Sequence, residues 1–403
     1  MRILMISDHI HFGGGGDALF RIERSGYEKA GYQVFTLSHA TNRGASPGPH
    51  DYIHVESHSP SVRKALKFSH NYGAERFVRE VIDEIRPDAV RLHLISKYPT
   101  AVYSALIGQI PVIQTLHGPN LFCATSWGCL SKDSSDCELG VGAKCASRGC
   151  VSRVMLPLHL SMHTRLKDLV MKSVSLFHCI SRHLTATTRD LGYGPVIYLP
   201  PAVGRQFIDA EPATHSGRPT VLYVGVLDQV KGVDVLVEAF QAIARRVPDA
   251  ELLLAGKGRL EPRLKEMVAA AGLNSQVRFL GFVDNTAIGD LYRQAHVVVM
   301  PSIWKEQFGL VGPEALACGV PCVGSNIGGI PEWLKDNEWG YLAEPRDAVG
   351  LADRIAALLM DRELRLRFGA RGREYVRAAF APERYQQDMM AMVGQYEAQS
   401  VHR

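Results

Sequence analysis

The chain alternates short apolar runs with longer stretches in which apolar positions recur every three or four residues. Runs rich in Val, Ile and Leu predict strands, whereas the longer spacing predicts amphipathic helices. The predicted strands of the first half are RILMIS, YQVFTLS, AVRLHLI, PVIQTLH, LFHCIS and PVIYLP. Those of the second half are TVLYVG, AELLLAG, VRFLG, HVVVMPS and VPCVGS. Continuous apolar strands that alternate with helices are typical of parallel sheets covered on both faces.

The length of 403 residues favours two domains, because one hydrophobic core rarely serves so long a chain. Residues 200–220 are rich in Pro, Gly and Ala and lack helical periodicity, so the boundary is predicted there. We predict an α/β domain over 1–205, a second over 206–380, and a helix over 381–403 that crosses back to the first. Two doubly wound sheets would place a ligand cleft at the carboxyl ends of their strands.

Composition describes an ordinary folded protein, with 46% hydrophobic and 21% charged residues. No apolar run approaches the roughly 18 residues that span a bilayer. Asp8 ends the first apolar run early, which argues against a signal peptide, so a cytoplasmic protein is predicted. The net charge of +4 is too small to indicate nucleic-acid binding.

Two glutamates in the second half, Glu306 and Glu314, stand on either side of an apolar Phe-Gly-Leu-Val run. Their spacing is too long for neighbours on one helix face, which lie three or four residues apart. Pro313 suits the first position of a helix, so Glu306 is predicted in the preceding loop and Glu314 in the first turn. The N–H groups of residues 310–312 would then approach the positive helix end, where anions bind. The alternative is a capped helix with acidic residues at its start.

Three further features lie at predicted strand ends. Lys231, beside Gly232, could reach a phosphate, although many surface turns contain Lys-Gly. The loop of residues 13–16 is four glycines, which let a backbone approach a ligand unless the loop is merely flexible. It lacks the G-x-G-x-x-G pattern, which disfavours a hydride-transferring Rossmann enzyme. His117 ends a strand and could bind a hydroxyl or move a proton, although a lone histidine is usually structural.

Together these features resemble a retaining, nucleotide-sugar-dependent glycosyltransferase of family four with the GT-B fold. The resemblance is carried by the E-x7-E element of Glu306 and Glu314, by VKGVDVLVEAF before it and by ALACGVPCVGSNIGGIPE after it. In the first half it rests on the glycine loop and His117. It implies two doubly wound Rossmann-like domains facing each other across a cleft. It also implies transfer of a sugar from a nucleoside diphosphate to a hydroxyl of a glycan, a lipid-linked or a small-molecule acceptor.

The resemblance assigns roles residue by residue. His117 and Glu306 would act at the transferred sugar. The donor would be bound by Gly14, Gly15, Lys231, Phe308, Gly309, Leu310, Val311 and Glu314. The base would be bound by Gly258, Arg259 and Val283. Since Lys231 and the helix end can stabilise the leaving diphosphate, no metal or other cofactor is expected.

One position departs from the family pattern. An arginine usually follows the glycine after the first strand of the second half, and this chain has Val226. We expect Lys257, Arg259 or Lys305 to substitute for that arginine, or diphosphate binding to be weaker.

Five cysteines crowd into the insert 123–150, namely Cys123, Cys129, Cys137, Cys145 and Cys150. They include no C-x-x-C pair, so the spacing is a poor match to a zinc site. A structural metal, a disulfide and free thiols all remain open. The insert is also a candidate for acceptor recognition.

Two stretches, 61–79 and 151–174, mix basic and apolar residues. Each predicts either a basic amphipathic helix on the inner membrane face or a helix packed with its apolar face inward. For the whole chain, two other functions stay open beside the transferase. They are a nucleotide-sugar epimerase on a similar fold and a sugar-nucleotide-binding protein without catalysis.

Overall fold

A computed structural model describes residues 1–8, 15–40, 49–55, 70–108, 110–123, 137, 139–214 and 217–400. The chain divides into two compact units. Unit 1 consists of Met1–Pro200 with Glu383–Arg403, and unit 2 consists of Pro201–Pro382.

Unit 1 is built on a parallel sheet. Its strands are β1 (Arg2–Ser7), β2 (Gln33–Ala40), β3 (Asp51–Val55), β4 (Ala89–Leu92), β5 (Val112–Leu116), β6 (Leu176–Cys179) and β7 (Val196–Tyr198). Their order is β3-β2-β1-β4-β5-β6-β7, with parallel pairing throughout. The order reverses between β1 and β4, which makes their carboxyl ends the expected ligand site of a doubly wound sheet. The helices are Gly15–Lys29, Tyr72–Ile85, Pro99–Ala105, Lys144–Ser147, Leu156–Ser173, Arg182–Asp190 and Pro382–Ser400.

Unit 2 repeats the scheme. Its strands are β8 (Thr220–Val224), β9 (Glu251–Ala255), β10 (Val277–Gly281), β11 (Val297–Met300), β12 (Cys322–Ser325) and β13 (Gly340–Ala343). Their order is β10-β9-β8-β11-β12-β13, again parallel, with the reversal between β8 and β11. The helices are Arg205–Ile208, Val233–Arg246, Glu261–Ala270, Asn285–Gln294, Val311–Ala317, Ile330–Trp333, Ala348–Met360 and Arg362–Ala379, and Gln229–Lys231 forms a 3-10 turn.

All the strands predicted from apolar runs are present, and the structure adds β3 and β13. Both additions lie at sheet edges. The described side chains of β3 are only half-buried, and the two central residues of β13 are too. An edge strand needs fewer apolar side chains than a central one, so neither sequence shows a continuous apolar run.

Helix Tyr72–Ile85 shows how the apolar spacing becomes packing. Asn71 caps its start by accepting a hydrogen bond from the N–H of Ala74 at 2.9 Å. Val78, Val81 and Ile82 lie on one face and are buried. Each such side chain contributes roughly 1.5–3 kcal/mol through its removal from water.

The C-terminal helix Pro382–Ser400 contacts helix Gly15–Lys29 within unit 1. The Tyr385 hydroxyl donates to Glu23 Oε1 at 2.5 Å, and Gln386 Nε2 donates to the Ile22 carbonyl at 3.0 Å. A residue close to the end of the chain thus contacts one close to its beginning.

Candidate functional site

The loops after β8 and β11, where the strand order of unit 2 reverses, bring together Lys231 and Glu306. Lys231 Nζ lies 2.6 Å from Glu306 Oε1. The Ser302 hydroxyl donates to the same oxygen at 2.6 Å. Two residues that the sequence placed in one site are therefore in direct contact at the sheet position where such folds bind ligands.

The turn that carries Lys231 depends on Gly232, which has a φ of +64°. A Cβ at Gly232 would lie 1.9 Å from the Pro301 carbonyl oxygen, so the turn requires glycine. The N–H of Ile303 donates to the Val230 carbonyl at 3.0 Å. This bond joins the two loops and holds Lys231 beside the segment that carries Glu306.

Glu306 is ionised at neutral pH although its residue is only 6% exposed. Burial raises the pKa of this carboxyl. The Lys231 ammonium and the Ser302 hydroxyl lower it by a larger amount, so the net pKa is below its usual value. The Lys231 side chain is 26% exposed and its ammonium lies 5.0 Å from the Trp304 ring centroid. The site therefore offers a carboxylate that accepts hydrogen bonds and an accessible cation.

The Phe-Gly-Leu segment follows Glu306 and leads into helix Val311–Ala317. Glu306 lies in the loop and Glu314 in the first turn, as the sequence predicted. The predicted first helical position, Pro313, is wrong by two residues, because the helix begins at Val311. Proline is still tolerated there, since an N–H in the first turn has no intrahelical acceptor.

Two contacts shape this segment. Trp333 Nε1 donates to the Phe308 carbonyl at 2.6 Å. A Cβ at Gly312 would lie 1.9 Å from the Trp333 ring, so the indole packs directly on the helix start. The N–H of Gly312 donates to the Gly309 carbonyl at 3.1 Å. The prediction that Gly312 offers its N–H to an anion is therefore wrong, and the candidate donors are Leu310 and Val311.

Glu314 differs from Glu306 in its electrostatics. It is half-buried, and the Tyr292 hydroxyl donates to its Oε2 at 2.9 Å. Burial raises the pKa of Glu314 to about 7, even though the bond from Tyr292 lowers it. One glutamate of the pair is thus ionised by an adjacent lysine, while the other titrates near neutral pH.

The residues predicted to bind the base lie in the loops after β9 and β10. A Cβ at Gly258 would lie 2.2 Å from the Leu227 carbonyl oxygen, so this loop packs closely on the one after β8. Arg259 Nε lies 2.8 Å from Asp228 Oδ2, and Asp228 also accepts from the N–H of Val230. Arg259 is therefore tied to the turn that carries Lys231. Val283 is half-buried beyond β10.

The position that departs from the family pattern also lies at the carboxyl end of a strand of this sheet. Val226 follows β8 and is 56% exposed. Lys257 is exposed and Lys305 is half-buried.

In unit 1, His117 follows β5 and lies against the start of helix Gly15–Lys29. A Cβ at Gly16 would be 3.4 Å from His117 Nδ1. Gly15 is the first residue of the helix, whereas Gly13 and Gly14 lie outside the described residues. The structure thus brings the end of the glycine loop to the predicted histidine.

A buried polar group beneath His117 was missed from the sequence. His93 Nδ1 lies 3.0 Å from His117 Nε2, and Arg91 donates to both carboxylate oxygens of Glu23 at 2.6 Å. The signal was available in AVRLHLI, where Arg91 and His93 interrupt a strand that otherwise reads as buried. Charged residues are rarely buried unless paired, so their presence there indicated a partner.

The cysteine insert is described only in part, because Cys129 lies outside the described residues. Cys145 is buried, and Cys123, Cys137 and Cys150 are half-buried. Over the described ranges, no group of three or more His, Cys, Asp or Glu side chains is arranged to hold a metal ion.

The first basic stretch lies outside the described residues at 61–69. Its remainder, 70–79, contains the start of helix Tyr72–Ile85, in which Ala74 and Val78 are buried. The second forms helix Leu156–Ser173 and the turn before it, in which Val154 is 88%, Met155 44% and Leu158 51% exposed. These apolar side chains are exposed around the start of the helix, whereas Val170 near its end is buried. Both alternatives for this stretch, membrane contact and inward packing, stay predictions. Among the described helices none combines the length and the apolar character needed to cross a bilayer.

Residues 204–375 match the family model described as Glycosyl transferases group 1. The N-acetyl-alpha-D-glucosaminyl L-malate synthase of Bacillus anthracis is 39% identical over 177 residues, which cover 44% of this chain and 44% of that protein. The chain spans about half the length of the curated relatives it matches. These similarities support a group 1 glycosyltransferase.

Solved structures resemble the chain over nearly its whole length. Sucrose-phosphate synthase from Thermosynechococcus elongatus has a TM-score of 0.78 at 21% identity, covering 99% of each chain. Anabaena HepE in complex with UDP has a TM-score of 0.71 at 17% identity, covering 98% of this chain and 100% of that one. Likeness at these identities concerns the fold alone, and it confirms the predicted GT-B fold with two Rossmann-like domains.

Proposed function

We propose that this chain is a retaining glycosyltransferase of family four, of the E-x7-E type. It moves a sugar from a nucleoside diphosphate to a hydroxyl of an acceptor. The observation that carries the proposal is the contact between Lys231 and Glu306 at the point where the strand order of unit 2 reverses. A cation for a phosphate and a carboxylate for sugar hydroxyls are there placed side by side.

The diphosphate is bound by Lys231 and by the N–H groups of Leu310 and Val311. The buried carboxylate of Glu306 orients the lysine, whose side chain is 26% exposed and thus accessible to an anion. Donors that are fixed before the reaction stabilise charge as it develops on the leaving diphosphate, which typically contributes several kcal/mol. This arrangement requires no divalent metal.

The sugar and ribose hydroxyls are bound by the two glutamates. Ser302 and Lys231 both contact Glu306 Oε1, and the carboxylate accepts from the transferred sugar through Oε2. Tyr292 contacts Glu314 Oε2, which leaves Oε1 to accept from the ribose. Gly258, Arg259 and Val283 bind the base, His117 contacts the donor sugar, and Gly14 and Gly15 bind the donor as part of the glycine loop.

The acceptor is a glycan, a lipid-linked or a small-molecule hydroxyl compound, and the protein is cytoplasmic. For a lipid-linked acceptor the protein binds the inner membrane face peripherally. The exposed side chains of Val154, Met155 and Leu158, with Arg153 beside them, support that association, since apolar and basic groups together favour an anionic membrane surface.

The test is turnover of uridine-, guanosine-, adenosine- and thymidine-linked sugars with and without candidate acceptors, followed by NMR of the products. The proposal predicts acceptor-dependent release of one nucleoside diphosphate and a product with the anomeric configuration of the donor. Inverted configuration would contradict retention. Interconversion of sugar nucleotides without acceptor would indicate an epimerase, and binding without turnover for any acceptor would indicate a binding protein.

A further inference from the structure

A chain of buried polar side chains runs from the C-terminal helix to His117. Glu23 and Arg91 are at most 1% exposed, and Arg91 contacts Glu23 Oε2 through both Nε at 2.9 Å and an Nη at 2.6 Å. The Tyr385 hydroxyl donates to Glu23 Oε1 at 2.5 Å. These contacts fix the carboxylate of Glu23 from two elements that are far apart in sequence.

Glu23 is ionised in this setting. Burial raises its pKa, but Arg91 and His93 lower it by more, so the net pKa is well below its usual value. For His93, burial has the opposite effect and lowers the pKa, because the charged form of an imidazole is the protonated one. Arg91 also lowers this pKa, and Glu23 raises it by less. A neutral imidazole therefore lies between a carboxylate and His117.

The positions of these groups determine which ring nitrogens carry protons. His93 Nε2 lies 3.3 Å from Glu23 Oε2, close enough for a strong electrostatic interaction but without the angle of a hydrogen bond. A lone pair on that nitrogen would be repelled by the carboxylate, so the N–H is on Nε2 and the lone pair is on Nδ1. His93 Nδ1 lies 3.0 Å from His117 Nε2, which must then be the donor.

His117 consequently carries its proton on Nε2 and its lone pair on Nδ1. Of the His117 atoms, Nδ1 is the nearest to a Cβ added to Gly16, at 3.4 Å, so this nitrogen faces the first turn of helix Gly15–Lys29. The polar atom of His117 beside Gly16 is therefore a hydrogen-bond acceptor. A group that binds there has to donate, as a hydroxyl does and as an ether or carboxylate oxygen does not.

We propose that Glu23 and His93 are positioning residues that fix His117 as an acceptor for a sugar hydroxyl. The role of the hydroxyl rests on the proposed transferase function, whereas the proton arrangement does not. Arg91 and Tyr385 hold Glu23, so the C-terminal helix takes part in setting the state of His117.

The first test is the protonation pattern of the free protein, measured by NMR after labelling its 16 histidines with nitrogen-15. The signals of His117 are assigned by their loss in His117→Gln. The inference predicts a single tautomer with the proton on Nε2. A proton on Nδ1, or an equal mixture, would overturn it, and neither result depends on any activity.

Two variants distinguish the orienting effect of His93 on His117 from the packing of the His93 ring. His93→Phe removes the acceptor that faces His117 Nε2 but keeps a ring beside Phe20, whose ring centroid lies 5.0 Å from that of His93. His93→Asn places an amide oxygen where Nδ1 stands. We expect a mixed His117 tautomer in His93→Phe and the wild-type tautomer in His93→Asn. The same tautomer in both variants as in the wild type would contradict the role of His93.

The kinetic test uses the same pair. Loss of one oriented hydrogen bond predicts about a tenfold fall in kcat/KM for His93→Phe and recovery in His93→Asn. KM is measured separately for donor and acceptor, and the substrate whose KM rises contributes the hydroxyl. A correct tautomer in a protein that never transfers sugar would refute the proposed function and leave the proton arrangement intact. An equal fall in both variants would overturn the positioning role.

Discussion

Lys231 and Glu306 are 75 residues apart in sequence, and their charged atoms lie 2.6 Å apart. The lysine belongs to the loop after β8 and the glutamate to the loop after β11, neighbouring strands that pair in parallel. The contact exists because the strand order of unit 2 reverses there, so loops from distant segments start at the same edge of the sheet.

Replacing Lys231 by Met should weaken donor binding and destabilise unit 2 at the same time. Donor affinity loses a charge-assisted contact, which is worth roughly 1.5–3 kcal/mol. Breaking a fully buried ion pair costs roughly 3–5 kcal/mol, and the cost here is smaller because Lys231 is 26% exposed. Calorimetric titration and denaturant unfolding measure the two effects. Lys335→Met, on an exposed lysine, serves as the matched control and should change neither.

Glu314 should make stability fall as the pH rises from about 4.5 to about 7. Burial raises the pKa of the folded protein's Glu314 to about 7, above that of the unfolded chain, so the folded state holds the proton more tightly. Its stabilising effect is therefore present in acid and is lost between roughly pH 4.5 and 7, by up to about 3 kcal/mol. Unfolding of the wild type and Glu314→Gln at several pH values measures it. An unchanged slope in Glu314→Gln would contradict the assignment to this residue.

Gly312→Ala should destabilise unit 2, because its Cβ would lie 1.9 Å from the Trp333 ring. Overpacking of this kind costs about 1–3 kcal/mol, and the displaced indole would also lose its bond to the Phe308 carbonyl. Gly394→Ala is the control, since a Cβ in that helix meets nothing within 4 Å. It should stabilise the protein by about 0.5–1 kcal/mol. Thermal unfolding measures both variants. An unchanged melting temperature in Gly312→Ala would show that the helix start and Trp333 rearrange to accommodate the methyl group.

Val226→Arg should tighten donor binding. Val226 is 56% exposed beside the turn of Lys231, so an arginine fits without burial and restores the cation that the family pattern has there. A charge-assisted bond to phosphate predicts roughly a tenfold gain in affinity. Val349→Arg, at a residue 71% exposed elsewhere in unit 2, controls for net charge. Equal donor affinity in Val226→Arg and wild type would show that Val226 does not limit diphosphate binding.

The central strands and the second-half site could be predicted because both rest on local patterns. A buried parallel strand must be apolar throughout, and the loop-then-helix placement of Glu306 and Glu314 follows from their spacing around Pro313. The edge strands β3 and β13 could not be found this way, since half-buried positions accept polar residues. The group of Glu23, Arg91, His93 and His117 joins residues of three separate elements, so no spacing rule reveals it.

The orientation of the Lys231 side chain could not be predicted from the sequence. The sequence placed Lys231 at a strand end, but Glu306, the partner that fixes its orientation, is 75 residues away in sequence. Glu306 lies in the loop after β11, the strand that pairs with β8. The same is true of Tyr292, whose bond to Glu314 depends on the helix before β11. Contacts of this kind follow from topology and not from any one segment.

The most direct measurement of the central claim is acceptor-dependent release of nucleoside diphosphate by the wild type, beside Glu306→Gln and Lys335→Met. We expect release by the wild type and by Lys335→Met. Glu306→Gln should lose at least tenfold, because its neutral amide no longer orients Lys231 or accepts fully from the sugar. Equal release by all three proteins would contradict the assignment of the site to Lys231 and Glu306.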